Sequence, residues 1–130
     1  MSRLNIEGNI ILINHITSMV PVQKYSYAAT SQAALLNLSK VAILDLTGDG
    51  HKIQINSVSV GWQEANSDES QFLDKLNTVY GNEPSPIRKV IKTESIVEAC
   101  YMLGNLQDVN GVNINVDGGY WISRNIRQFD

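Results

Sequence analysis

Three short runs rich in β-branched residues constrain this chain more than any other feature. They are Ile10-Ile11-Leu12-Ile13, Ile53-Gln54-Ile55-Asn56-Ser57-Val58 and Val112-Asn113-Ile114-Asn115-Val116. Each has strand length, and each is bounded by turn formers: Gly8-Asn9 before the first, Gly61 after the second, Gly111 and Asp117-Gly118-Gly119 around the third. The first run lacks polar alternation, which predicts a parallel strand covered on both faces. Between the first two runs the pattern turns helical. Ala28, Ala33, Ala34, Leu35, Leu38, Val41, Ala42 and Leu46 recur at helical steps, so a helix is expected from about Tyr27 to Leu46. Gly48-Asp49-Gly50 supplies its stop. Before the third run, Ile96, Val97, Ala99, Cys100 and Leu103 repeat the helical spacing. Thr93-Glu94 reads as the start of that helix and Gly104-Asn105 as its end.

The order strand, helix, strand, helix, strand predicts an α/β fold with about three parallel strands, flanking helices and right-handed crossovers, a partial Rossmann-like sheet. A loop is expected from His15 to about Lys24 and another over residues 62–70. A weak amphipathic helix from about Asp68 to Tyr80 and a breaker cluster, Gly81-Asn82-Glu83-Pro84-Ser85-Pro86, follow. Trp62, Phe72, Leu73, Leu76 and Tyr80 read as core cover rather than pocket lining. No repeat or linker divides residues 1–130, so one domain is expected. Its core is small for a free monomer, because a short sheet leaves edges open.

Composition removes several function classes. The net charge is -3 with 10 basic residues and no basic cluster, so no nucleic-acid surface is expected. The single cysteine, Cys100, forms no intrachain disulfide and reads as a packed thiol. His15 and His51 are far apart and have no Cys or carboxylate at ligand spacing, so no metal site is expected. The Ile10–Ile13 run is too short for a signal core or a membrane span. A soluble cytoplasmic protein is the expectation.

Three segments together resemble the C-terminal half of the short-chain dehydrogenase/reductases, most closely the ketoacyl-carrier-protein reductase type. Gly8-Asn9-Ile10-Ile11-Leu12-Ile13 is similar to the family's fifth strand. Tyr27-Ala28-Ala29-Thr30-Ser31-Gln32-Ala33-Ala34-Leu35 through Ile55-Asn56-Ser57-Val58-Ser59-Val60-Gly61 is similar to its catalytic helix and sixth strand. Ile96-Val97-Glu98-Ala99 through Gly111-Val112-Asn113-Ile114-Asn115-Val116-Asp117-Gly118-Gly119-Tyr120 resembles its last helix, last strand and closing "VDGG".

The resemblance implies an NAD(P)-dependent oxidoreductase, and the departures bear on that directly. The family holds the cofactor phosphates on a glycine-rich turn upstream of the fifth strand. No Gly-x-x-x-Gly-x-Gly occurs in the 130 residues. The family's chemistry needs a Tyr as acid/base, a Lys one helical turn later that lowers the Tyr pKa, and a Ser that polarises the carbonyl. Register places the Ser position on His15, the Lys position on Gln32 and the Tyr position on Ala28. Tyr27 is one residue out of register and Tyr25 three. Without the Lys charge a Tyr keeps its ordinary pKa of about 10. His15 could still donate to a carbonyl, Gln32 could bond a ribose, and Tyr27 is the nearest tyrosine. They are the catalytic candidates. Val60-Gly61, in place of the family's Pro-Gly, is the cofactor-contacting candidate.

These observations predict a truncated domain with no cofactor of its own and no catalysis alone, acting through self-association or by joining an intact relative. The contact would use the exposed edge of the first strand and the helices. The alternative is one subunit of a split oxidoreductase, with NAD(P) bound only where another chain supplies the nucleotide-binding half.

Overall fold

The computed structural model describes residues 7–20, 22, 25–63 and 90–125. In chain order they form β1 (Glu7–His15), a 3-10 turn (Ile16–Ser18), α1 (Ser26–Gly48), β2 (Lys52–Val60), α2 (Thr93–Asn105), β3 (Asn113–Val116) and α3 (Tyr120–Asn125). The strands make one parallel sheet in the order β1-β2-β3. This is the α/β arrangement with flanking helices that the sequence predicts. The helix expected over Asp68–Tyr80 and the breaker cluster after it lie outside the described residues.

β1 and β2 pair along their whole length, from Glu7 opposite Lys52 to His15 opposite Val60. β3 pairs with the second half of β2, from Ser57 opposite Asn113 to Val60 opposite Val116. Ile96 and Leu103 of α2 pack with Ile11, Val58, Val60, Ile114 and Val116 on one face of this sheet. Alternation turns Ile55, Ser57 and Ser59 to the other face, where α1 lies against β1 and β2. The apolar stripe of α2 covers the Val58–Val60 face that α1 leaves bare.

Position in the sheet decides burial. Central β2 is buried from Ile55 through Val60. β1 lies at the edge, and its apolar run is only partly covered: Ile10 is 41% and Ile13 56% exposed. Lack of alternation predicted cover on both faces. Here it marks a strand whose outer edge pairs with no strand among the described residues.

The element ends differ in detail from expectation. β1 continues through His15, so that residue closes a strand rather than opening a loop. Thr93 is the first helical residue of α2, and Lys92 is the N-cap, with no side-chain cap bond. α1 ends where Gly48-Asp49-Gly50 predicts, with Gly50 at φ 81°. The other end of the sheet is fixed by Asn56. Its amide donates to Val109 O at 2.8 Å, and its Oδ1 accepts the Val112 N–H at 3.1 Å.

A candidate functional site at the carboxyl ends of the strands

In a parallel α/β sheet the carboxyl ends of the strands are the usual ligand side. Here β1 ends at His15, β2 runs on through Gly61 to Trp62, and β3 runs on through Asp117 to Tyr120. These three continuations converge. Trp62 lies edge-on to His15 with ring centroids 4.7 Å apart, to Tyr25 at 5.9 Å and to Tyr120 at 6.2 Å. Trp62 and Tyr120 are buried, and they pack with Ile16, Val20 and Val22. Trp62, expected to cover core, does so at this end of the sheet.

His15 is held at three points. Its backbone N–H donates to Gln32 Oε1 of α1 at 2.9 Å. Its Nδ1 accepts the Thr17 N–H at 3.3 Å, capping the 3-10 turn, and lies 3.1 Å from Thr17 Oγ1. A ring nitrogen that accepts a backbone N–H carries no proton. Burial also disfavours the imidazolium, so the His15 pKa is lowered from its ordinary 6.5. The ring is a neutral acceptor at this position.

The sequence candidates therefore separate. His15 and Gln32 meet directly. Tyr27 does not join them: it is 92% exposed on α1, beside Ser26, Thr30, Ser31 and Ala34. Val60 is buried in the α2-side core, and Gly61 is pressed against β3's continuation. A Cβ on Gly61 would lie 2.7 Å from Asp117 Cα, and the Gly61 N–H donates to Val116 O at 2.9 Å. Neither residue presents a side chain to the cluster.

Two residues of this region were not singled out by sequence reasoning. Tyr25 reaches Trp62 although it lies out of register for the family's Tyr. Asp117 is 6% exposed, and its carboxylate accepts the Gly119 N–H at 2.9 Å and the Trp121 N–H at 2.7 Å. That makes Asp117 the cap of α3, a helix the sequence pattern did not reveal, because only six residues carry it. An Asp followed by two glycines was the available signal. Gly118 and Gly119 take φ 62° and 83°, backbone that favours glycine.

A polar seam runs beside the cluster on the α1 face. Ser59 Oγ donates to Asn14 Oδ1 or Asn113 Oδ1, at 2.5 and 2.9 Å. Asn113 Nδ2 donates to Asn115 Oδ1 at 2.8 Å. Asn14 Nδ2 and Ser18 Oγ are buried with no hydrogen-bond partner among the described residues. Together the site offers a neutral imidazole, an amide, phenols and an indole, with no cation among the described residues. No group of three or more His, Cys, Asp or Glu among the described residues could hold a metal ion. No helix among them is long and apolar enough to cross a membrane.

A family model described as enoyl-(acyl carrier protein) reductase matches residues 1–121. The chain belongs to the short-chain dehydrogenase/reductase family. No curated protein matches it. Among solved structures it is similar to the Bacillus cereus enoyl-acyl carrier protein reductase, solved with NADP+ and indole naphthyridinone, at 24% identity and TM-score 0.69. The alignment covers 88% of this chain and 45% of that one. The angucycline C-6 ketoreductase LanV, solved with NADP, is 20% identical with TM-score 0.73, over 88% of this chain and 44% of that one. Sorbitol-6-phosphate 2-dehydrogenase from Erwinia amylovora is 20% identical with TM-score 0.72, over 89% and 49%. At these identities the likeness establishes the shared fold. The chain spans about half the length of each of these structures.

Proposed function

We propose that this chain keeps part of the short-chain dehydrogenase/reductase architecture without the reductase chemistry and acts by association with other polypeptides. One observation carries the reading. Gln32, which stands at the family's Lys position, is neutral, and its Oε1 is engaged by the His15 N–H. An amide in that geometry lends no positive charge to a nearby tyrosine, so proton transfer coupled to hydride movement lacks its driving group.

A nicotinamide dinucleotide fits these residues poorly. The 130 residues contain no Gly-x-x-x-Gly-x-Gly to carry its phosphates. Trp62, packed among His15, Tyr25 and Tyr120, occupies the carboxyl end of the sheet, the usual ligand side of such a fold. These residues alone therefore supply a pyridine nucleotide with no glycine-rich phosphate cradle. A cytoplasmic setting suits its single, free cysteine.

The outer edge of β1, which pairs with no strand among the described residues, favours a second reading. Another polypeptide carrying a glycine-rich half could add its strand beside β1, giving a split NAD(P)-dependent oxidoreductase. His15 and Gln32, which meet at the end of β1, would then face the assembled site.

Turnover separates the readings. The purified chain, alone and mixed with an intact relative of the family, is supplied with NADPH or NADH and a panel of enoyl and ketoacyl thioesters. The association reading predicts no oxidation attributable to this chain in either case. Turnover that appears only in the mixture and is lost in a His15→Ala variant selects the split enzyme.

A further inference from the structure

The sequence contains a single Asn-Gly pair, Asn110-Gly111, and the fold sets it just before β3. Each member has a structural task. Gly111 takes φ 79°, backbone that favours glycine, and its N–H donates to Ile55 O at 2.9 Å. Asn110 Oδ1 accepts the Ile55 N–H at 2.8 Å. The pair thus holds both backbone groups of one β2 residue. Asn56 fixes the chain on either side of it, through Val109 O and the Val112 N–H. Asn110 itself is exposed. An asparagine before glycine has a reaction open to it that needs only water. The following backbone nitrogen gives up its proton and attacks the side-chain Cγ. The Cγ–Nδ2 bond breaks, and ammonia departs with the proton that the nitrogen gave up, leaving a succinimide ring. Water then adds to one ring carbonyl and opens it, to aspartate or to isoaspartate. Glycine has no side chain to crowd the attack.

We propose that Asn110-Gly111 is a site of spontaneous deamidation, held back by its two bonds to Ile55 and released when that part of the sheet opens. The attacking nitrogen keeps its proton on Ile55 O, and the carboxamide that it must reach is pinned by the Ile55 N–H. Ring closure requires both bonds to break, so the rate follows the population of the locally open chain. Asn56 makes the contrast. It precedes the small Ser57, but it is 1% exposed and its amide is bonded at both ends. The two products differ in consequence. Aspartate keeps an oxygen for the Ile55 N–H. Isoaspartate adds a carbon to the backbone, so Gly111 and Ile55 lose their register two residues before β3 pairs with β2 at Asn113 and Ser57. Each opening that ends in isoaspartate therefore leaves β3 more weakly held.

The test follows the full purified chain at mildly alkaline pH, native and in strong denaturant, by peptide mass spectrometry that separates aspartyl from isoaspartyl products. In denaturant Asn110 is expected to convert before the other asparagines. In the native chain its conversion is expected to be at least about tenfold slower. Gln54→Ala removes side-chain bonds to Gln107 O and Val109 O and keeps Ile55, Asn110 and Gly111. It is expected to speed hydrogen exchange of the Gly111 amide and deamidation by the same factor. Should that variant fold poorly or leave Gly111 exchange unchanged, wild type in graded, sub-denaturing urea replaces it, and the two rates are expected to rise together. Asn110→Gln, which needs a larger ring, is expected to stay unmodified. Native and denatured chains converting equally fast, another asparagine leading in denaturant, or Gly111 exchange that rises without faster deamidation would overturn the proposal. An isoaspartyl form as stable to urea as Asn110→Asp would overturn the effect on β3.

Discussion

The backbone N–H of His15 and the side-chain oxygen of Gln32 are hydrogen-bonded across 2.9 Å, tying the end of β1 to α1. Gln32 thus serves a structural bond here. Gln32→Lys removes the acceptor and leaves a half-buried N–H without a partner, at a cost of about 1–2 kcal/mol. Gln32→Glu keeps an oxygen in place and should cost less. Urea denaturation of the two variants beside wild type measures the difference, and a Gln32→Lys protein as stable as wild type would show that the bond contributes little.

Acid should weaken the fold through His15. Burial holds its folded-state pKa below the ordinary 6.5, so the unfolded chain takes the proton first as pH falls. The contribution of neutral His15 is complete above 6.5, declines as pH drops from there toward the lower folded value, and levels off beneath it. His15→Gln should flatten that part of the stability profile. Thermal melts at half-unit pH steps from 7.5 to about 4 read the slope directly.

Trp62 joins the three strand ends. Trp62→Ala should destabilise by about 3–5 kcal/mol, as aromatic-to-alanine changes in cores do. Trp62→Phe retains most of the apolar contact and should cost less. Near-ultraviolet circular dichroism of the alanine variant should lose signal from Tyr25 and Tyr120 as well, since both rings contact the indole. Loss confined to the tryptophan bands would contradict a coupled cluster.

Gly61 has no room for a side chain. Gly61→Ala drives a Cβ to 2.7 Å from Asp117 Cα, which is backbone and cannot rotate aside. The expected cost is about 1–3 kcal/mol. Gly8→Ala, where nothing lies within 4 Å, should stay within about 0.5 kcal/mol. Equal effects at the two glycines would show that the approach to Asp117 relaxes easily.

The strands and long helices were legible because each run is bounded by glycine or by a change of period. Ile10–Ile13 and Gly48-Asp49-Gly50 were enough to place β1 and the end of α1. Burial along β1 was less legible, since an apolar run does not say whether its strand is central or at an edge. At the site, His15 and Gln32, named separately from the sequence, meet through the His15 N–H and the Gln32 side chain. Tyr27 lies closest to the Tyr register in sequence, but its place on α1 leaves it exposed. Tyr25 precedes the helix, and only the fold carries it to Trp62. The cap role of Asp117 follows from its place before Gly118-Gly119, a pattern read as the end of a strand and not as the start of a helix.

A chain without reductase chemistry should, by itself, hold no pyridine nucleotide. Titrating the purified protein with NADPH while recording both tryptophan fluorescence and binding heat is the most direct measurement. No saturable signal is predicted up to millimolar nucleotide, with the Trp62 environment unchanged. A saturable micromolar isotherm that quenches Trp62, and that disappears in Gln32→Ala, would contradict the account.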